Sequence, residues 1–271
     1  MRRPGAAIRQ LGPSSGRALI TGLVSLLGLA LAGCQSGSAA SPASASATAS
    51  TAASRAAAAS ASPSLSIPGT HKATTVYQIS SPVSTVVVIS HAGNVTVSGT
   101  GGTGTSVTEQ AAYSKTAPTT TRVVSGKTLT ITYSCPVELV CGVAYVIQVP
   151  RGVAVQATAG AGAIRLSGLA GNVTAKAGVG FIDATGLTGS SVSLTTGAGG
   201  ITAAFTAAPH AVQATARVGA VTVRVPGGVS YQVTAHAHLG KAAVDVPQSS
   251  SSAHTISATT DVGAILIAPT S

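Results

Sequence analysis

The chain has 271 residues, of which 7% are charged and 3% aromatic, with no tryptophan and a formal net charge of +10. So few large side chains exclude a thick aromatic core. The cations are scattered and lack interleaved aromatics, which excludes the basic stripe with stacking platforms that nucleic-acid binding uses.

Residues 1–17 carry Arg2, Arg3, Arg9 and Arg17 and no acid. Residues 18–32, ALITGLVSLLGLALA, are apolar but shorter than the roughly 20 residues a membrane-spanning helix needs. A positive flank and a short apolar core predict a signal peptide over 1–33. It ends in Leu31-Ala32-Gly33-Cys34, which resembles the bacterial lipoprotein box, whose cysteine is diacylated and opens the mature chain. The resemblance implies lipidation (palmitate or a similar acyl chain) of Cys34 and anchoring to the outer face of the cell membrane. Two acyl chains hold a protein stably where one is marginal. Arg2-Arg3 leaves twin-arginine and general export both open.

Residues 34–70 are mostly Ser, Ala, Thr and Pro after the cysteine, with one arginine, Arg55. They offer almost nothing to bury against the entropy of ordering, so a disordered tether is expected. Its reach is roughly 33 Å for a flexible chain of this length. Serine, threonine and proline in this density also admit O-glycosylation.

From residue 71 the pattern turns to β. STVVVISHAGNVTVSG (84–99) and GKTLTITYS (126–134) alternate, are β-branched and are bounded by glycine. No later stretch shows a helical period with caps. Here ten Lys/Arg face five Asp/Glu, 10 − 5 = +5, a sparse charge consistent with weak attraction to an anionic cell wall. With Cys34 set aside, Cys135 and Cys141 remain in SCPVELVCG. In an exported protein they predict a disulfide closing a small loop.

One word then recurs in several spellings: TAGAGAIRLSG, KAGVGFIDATG, TTGAGGITAAF, ARVGAVTVRV and TTDVGAILIA. Aligned on Gly162, Gly180, Gly199, Gly219, Gly240 and Gly263, the spacings are 18, 19, 20, 21 and 23. Seven residues before each glycine stands Val155, Val173, Val192, Val212, Val233 or Ile256. Two after stands Ile164, Ile182, Ile201, Val221, Ala242 or Ile265. Gly93 fits as an outlier. Each repeat reads as two short strands with one buried face. The residue just before each glycine is also apolar and is taken with the inward set. That leaves an odd step across the glycine, so a bend is expected there. A fixed period near 20 residues predicts an all-β, β-solenoid stack, each coil resting on the one before it. A sandwich or meander of ordinary hairpins is the alternative.

VVVISHAGNVTVSG, GKTLTITYS, the cysteine pair, YVIQVPRGV (145–153) and the serial glycine words, behind a lipoprotein box, resemble the actinobacterial members of the DUF4097 adhesin-like family. The resemblance covers roughly 80–270. It implies a β-solenoid surface domain over 71–271 and brings no catalytic residue set. Near 231–252 the repeat lengthens and its register blurs.

Chemistry is sparse. Asp183, Asp245 and Asp261 fall in different ranks, so no general acid and base pair emerges. No G-x-S-x-G elbow or phosphate loop is present. His236 and His238 share one strand face, a spacing that suits a metal, but no further ligand accompanies them. No metal, no cofactor and no catalytic residue are expected, so the chain reads as a non-enzyme. The outward ranks hold hydroxyls and amides. Thr158, Thr174, Thr195, Thr215, Thr234 and Thr259 form a candidate polar binding face for cell-wall glycan or an envelope protein. Lys176 and His236 interrupt the regular threonine spacing that ice binding would use. The expectation is a lipid-anchored adhesion or structural module of the cell envelope that binds no nucleic acid. The alternatives are an accessory or sensor subunit of an envelope signalling system, and a glycan-active enzyme, which would need an acidic cluster in space.

Overall fold

The computed structural model describes residues 71–136 and 140–270. The signal peptide (1–33), Cys34 and the tether (34–70) lie outside the described residues. The described chain is all-β, with nineteen strands in two sheets.

The chain opens with β1 (His71–Ile79). A first coil follows, β2 (Thr85–Ala92) and β3 (Val95–Thr100), turning at Gly93. Then come β4 (Thr105–Tyr113), β5 (Thr119–Ser125), β6 (Thr128–Ser134) and β7 (Cys141–Pro150). Six glycine-cornered coils complete the fold: β8 (Ala154–Ala161) with β9 (Ile164–Ser167), β10 (Val173–Val179) with β11 (Ile182–Leu187), β12 (Ser191–Ala198) with β13 (Ile201–Phe205), β14 (Ala211–Val218) with β15 (Val221–Val225), β16 (Gln232–Leu239) with β17 (Ala242–Val244), and β18 (Thr255–Val262) with β19 (Ile265–Pro269). The first strand of each coil joins a nine-stranded sheet, ordered β16-β18-β14-β12-β10-β8-β2-β6-β5. The second joins a ten-stranded sheet, ordered β1-β4-β7-β3-β9-β11-β13-β15-β19-β17.

Coils pair in parallel and residue for residue. Val155, Val173, Val192, Val212, Ile256 and Val233 form one file across the first sheet. Ile164, Ile182, Ile201, Val221, Ile265 and Ala242 form another across the second. The two sheets face each other over these files. Small β-branched and alanine side chains suffice because each coil lies only about 4.8 Å from the next and fills its neighbour's gaps.

Three expectations are corrected. First, the coils do not stack in chain order. The last coil, β18/β19, lies between β14/β15 and β16/β17. An end coil has one side uncovered, and the coil left there is the apolar-poor one. Ala235 and Val244 are half-buried and Ala242 is exposed, whereas their counterparts Ala258, Ile267 and Ile265 are buried. The lengthened repeat near 231–252 lies in the connection between β17 and β18, while β16 itself keeps register with β18. Second, the residues preceding the glycines do not belong to the inward set. Ala161, Val179, Ala198, Val218, Leu239 and Val262 are all exposed at the corner. The inward strand position is two residues earlier, at Ala159, Ala177, Thr196, Ala216, Ala237 and Thr260. Third, Gly93 is no outlier in space. Its N–H donates to the Ala161 carbonyl at 2.9 Å, and it heads the same column of corners, separated in sequence only by the β4–β7 insertion.

The glycine corners are dictated by close approach. All seven have φ between +137° and +149°, a region L side chains rarely adopt. A Cβ on Gly180 would lie 2.7 Å from the carbonyl carbon of Gly162, and one on Gly199 would lie 2.6 Å from that of Gly180. Each corner thus rests on the backbone of the next.

The N-terminal end is finished differently. β6 and β7 form a coil beside β2/β3, pairing with them in parallel, and their corner is the loop closed by the Cys135–Cys141 disulfide. Beyond it β4 lies antiparallel to β7, β1 antiparallel to β4, and β5 antiparallel to β6. Hairpin-like pairing therefore exists, confined to this end, and turns the stack's open edge into a short cap.

Candidate functional site

From β8 to β16 the outer face of the nine-stranded sheet is mostly polar; Val87 and Ile89 on β2 interrupt it. One row runs His236–Thr259–Thr215–Thr195–Lys176–Thr158–Ile89–Thr132 across eight strands, each residue in register with the next. The adjacent row runs Thr234–Ser257–Gln213–Ser193–Thr174–Gln156. The six candidate threonines therefore share one face, divided between two rows: Thr158, Thr195, Thr215 and Thr259 in the first, Thr174 and Thr234 in the second. Parallel pairing causes this. Each coil contributes the same outward position, and the pleat keeps that position on one side. Thr158, Thr195 and Thr234 are exposed, while Thr174, Thr215 and Thr259 are half-buried by their neighbours.

Not every threonine of the repeat faces water. Thr196 and Thr260 are inward and buried, and their Oγ1 atoms donate to the carbonyls of Gly180 and Gly219, each at 2.9 Å. Ser90 does the same work at the first corner, donating to Val143 at 3.1 Å. These hydroxyls stitch a corner to the coil beside it. The sequence signal was present, a hydroxyl three residues before a corner glycine, but hid among alanines in the same rank. A second column, Gly160, Gly178 and Gly197, was also missed: a Cβ on Gly178 would sit 2.5 Å from the Gly160 carbonyl oxygen.

The other polar candidates do not converge. Asp183 lies on the outer side of the ten-stranded sheet, in register with Arg165. Asp245 follows β17. Asp261 stands 4.0 Å from the His238 imidazole. The His236 and His238 rings meet edge to face, 4.4 Å between centroids. Among the described residues no group of three or more His, Cys, Asp or Glu is disposed to hold a metal. His91, beside the first corner, packs edge-on against Tyr133 at 5.4 Å. Three shallow openings of about 180, 330 and 270 Å³ sit against Lys72 and Gln110, against Tyr231 and Gln248, and against His91 and Cys135. None pairs two acids.

The cap encloses one charged cluster that sequence reasoning passed over. Glu109 is buried beside Arg122, with Nη1 at 2.9 Å from both carboxylate oxygens. The same guanidinium lies 3.5 Å above the Tyr77 ring. Tyr145, opposite Glu109 on β7, is fully buried. Burial, then the Glu109 charge, pushes its phenol well above the ordinary tyrosine range. Its hydroxyl has no hydrogen-bond partner. Glu109 and Tyr145 are buried and Arg122 covers them while keeping a quarter of its side chain exposed, so the cluster reads as structural.

No family model matches the chain, and no curated protein matches it. Solved structures do. A provisionally named cell adhesion protein from Clostridium sporogenes is 12% identical, with 74% of this chain and 100% of that one covered and a TM-score of 0.39. A provisionally named adhesin from Bacteroides fragilis is 14% identical, with 74% and 97% covered and a TM-score of 0.36. A provisionally named lipid-binding protein from Parabacteroides distasonis is 10% identical, with 73% and 97% covered and a TM-score of 0.23.

Proposed function

We propose that this chain is a DUF4097-type, adhesin-like module of the cell envelope, exported, lipidated on Cys34 and joined to the membrane by the 34–70 tether. The observation that carries the binding reading is the register of the polar rows: hydroxyl and amide groups recur at the strand spacing on one even face. Polysaccharide hydroxyls are recognised by such arrays of small donors and acceptors, so the ligand class is cell-wall glycan. The sparse positive charge favours an anionic wall.

The test pairs two arms. In a bacterial host, the full chain fractionates with membranes and Cys34→Ser moves it to the soluble fraction. Purified cell wall pellets the protein, and Thr195→Glu with Thr215→Glu reduces the pelleted fraction several-fold. Wall binding that is absent, or indifferent to the two glutamates, removes the glycan reading.

A further inference from the structure

The two long edges of the stack differ. Along the edge opposite the corner glycines the chain turns through Gly171–Asn172, Thr188–Ser190 and Pro209–His210, and no large apolar side chain is exposed there among the described residues. Along the glycine edge, Ala161, Val179, Ala198, Val218, Val262 and Leu239 stand in direct register, coil beside coil. Val179 is 62% exposed and Leu239 69%, and Phe181 joins them from the next corner position. At about 4.8 Å per coil this is a straight apolar ridge roughly 24 Å long. An exposed apolar patch of this order marks an interaction surface.

Cations flank the ridge. Arg217 and Lys241 are exposed beside Val218 and Leu239, Lys176 projects three residues before Val179, and the Arg165 guanidinium lies 4.6 Å over the Phe181 ring. The acids nearby are Asp261, beside His238, and Asp183, in register with Arg165. Four cations against two acids leave 4 − 2 = +2. We propose that this edge lies on an anionic lipid bilayer, with the ridge in the headgroup region and the cations at the phosphate level. The ridge residues are exposed in one in-register line and no groove runs between them in the described openings, which suits a flat surface; a peptide needs a groove. A second copy would bring the same cations face to face.

The proposal does not rest on lipidation, and its test omits Cys34. Among the described residues the core cluster runs from Val86 to Ile267, so residues 60–271 contain it whole. The chain has no tryptophan, which makes Val218→Trp a single reporter. With equimolar phosphatidylglycerol–phosphatidylcholine vesicles, its emission moves to shorter wavelength and the protein co-pellets; with phosphatidylcholine alone neither occurs. Val179→Ser, Phe181→Ser and Leu239→Ser together lower the vesicle affinity by roughly tenfold or more, since they strip the inserted apolar area. Arg217→Gln with Lys241→Gln weakens binding to the anionic vesicles. Circular dichroism of each variant verifies the fold. The proposal fails if the parent does not bind, or if the serine variant binds equally well. It fails if a tryptophan at Thr202, on the outer face of the ten-stranded sheet, shifts as much as one at Val218. A concentration-dependent dimer abolished by the serine variant assigns the ridge to a second copy and likewise overturns it.

Discussion

Gly180→Ala concentrates the physics of the stack in one methyl group. Two costs coincide there: φ is +140°, and the added Cβ would strike the Gly162 carbonyl, 2.7 Å from its carbon. Both obstacles are backbone, so no side chain can swing aside. Two other glycines separate the terms. Gly126 has φ +59° with open space around the Cβ position, so alanine there meets the dihedral penalty alone, about 1 kcal/mol. Gly178 has ordinary φ but a Cβ 2.5 Å from the Gly160 carbonyl oxygen, so alanine there must push neighbouring coils apart, costing about 2–3 kcal/mol as overpacking does. At Gly180, where φ lies beyond the left-handed region and the dihedral penalty is at least as large, the two add to roughly 3–4 kcal/mol, close to the range kept for severe lesions. In a domain of this size that lowers Tm by roughly 6–16 °C. Thermal melts and urea titrations of the three variants should rank Gly126→Ala, Gly178→Ala, Gly180→Ala in rising damage. A Gly180→Ala variant no less stable than Gly126→Ala would refute the close-stacking argument.

Two further outcomes concern the cap. Arg122→Ala leaves the Glu109 carboxylate buried and unpaired and should cost about 3–5 kcal/mol, whereas Arg122→Met with Glu109→Leu should cost much less; urea denaturation of both reads the difference, and equal losses would contradict it. Tyr145 has its phenol held neutral in the fold, so above about pH 10 the unfolded chain releases a proton that the folded chain keeps, and stability falls as pH rises. Tyr145→Phe should flatten that alkaline decline by up to about 1.4 kcal/mol per pH unit while leaving neutral stability unchanged or better, since it removes an unpartnered hydroxyl; superimposable pH–stability curves would count against the assignment.

The coil was legible in the sequence because its cause is local. A strand with a buried face writes period 2, and a corner that touches its neighbour's backbone writes glycine, so Val173, Gly180 and Ile182 announce their places. The disulfide between Cys135 and Cys141 was legible for the same reason. What escaped depends on neighbours distant in the chain. Whether Val179 points inward or outward turns on the corner geometry, because a valine before a glycine suits either. The order of the last two coils turns on a contest between Ile256 and Val233 for a covered position, which no single repeat expresses. The candidate face was legible as ranks but not as two rows, since register across coils sets which threonines adjoin. Glu109 and Arg122, thirteen residues apart in chain number, meet only because β4 and β5 close the two sheets at one end.

The exchanged order of the final coils bears on how the molecule is made. A ribosome delivers β16/β17 before β18/β19, yet the berth next to β14/β15 belongs to the later arrival. Tyr231 holds the earlier segment through the strap that follows it, its N–H donating to Pro247 and its carbonyl accepting from Ser249. Growth by simple accretion would seal the wrong segment against the stack, so the C-terminal residues act as a keystone. Until they emerge from synthesis, the exposed flank of β14/β15 stays open, and a nascent chain that stops short leaves an aliphatic end free to recruit strands from other molecules.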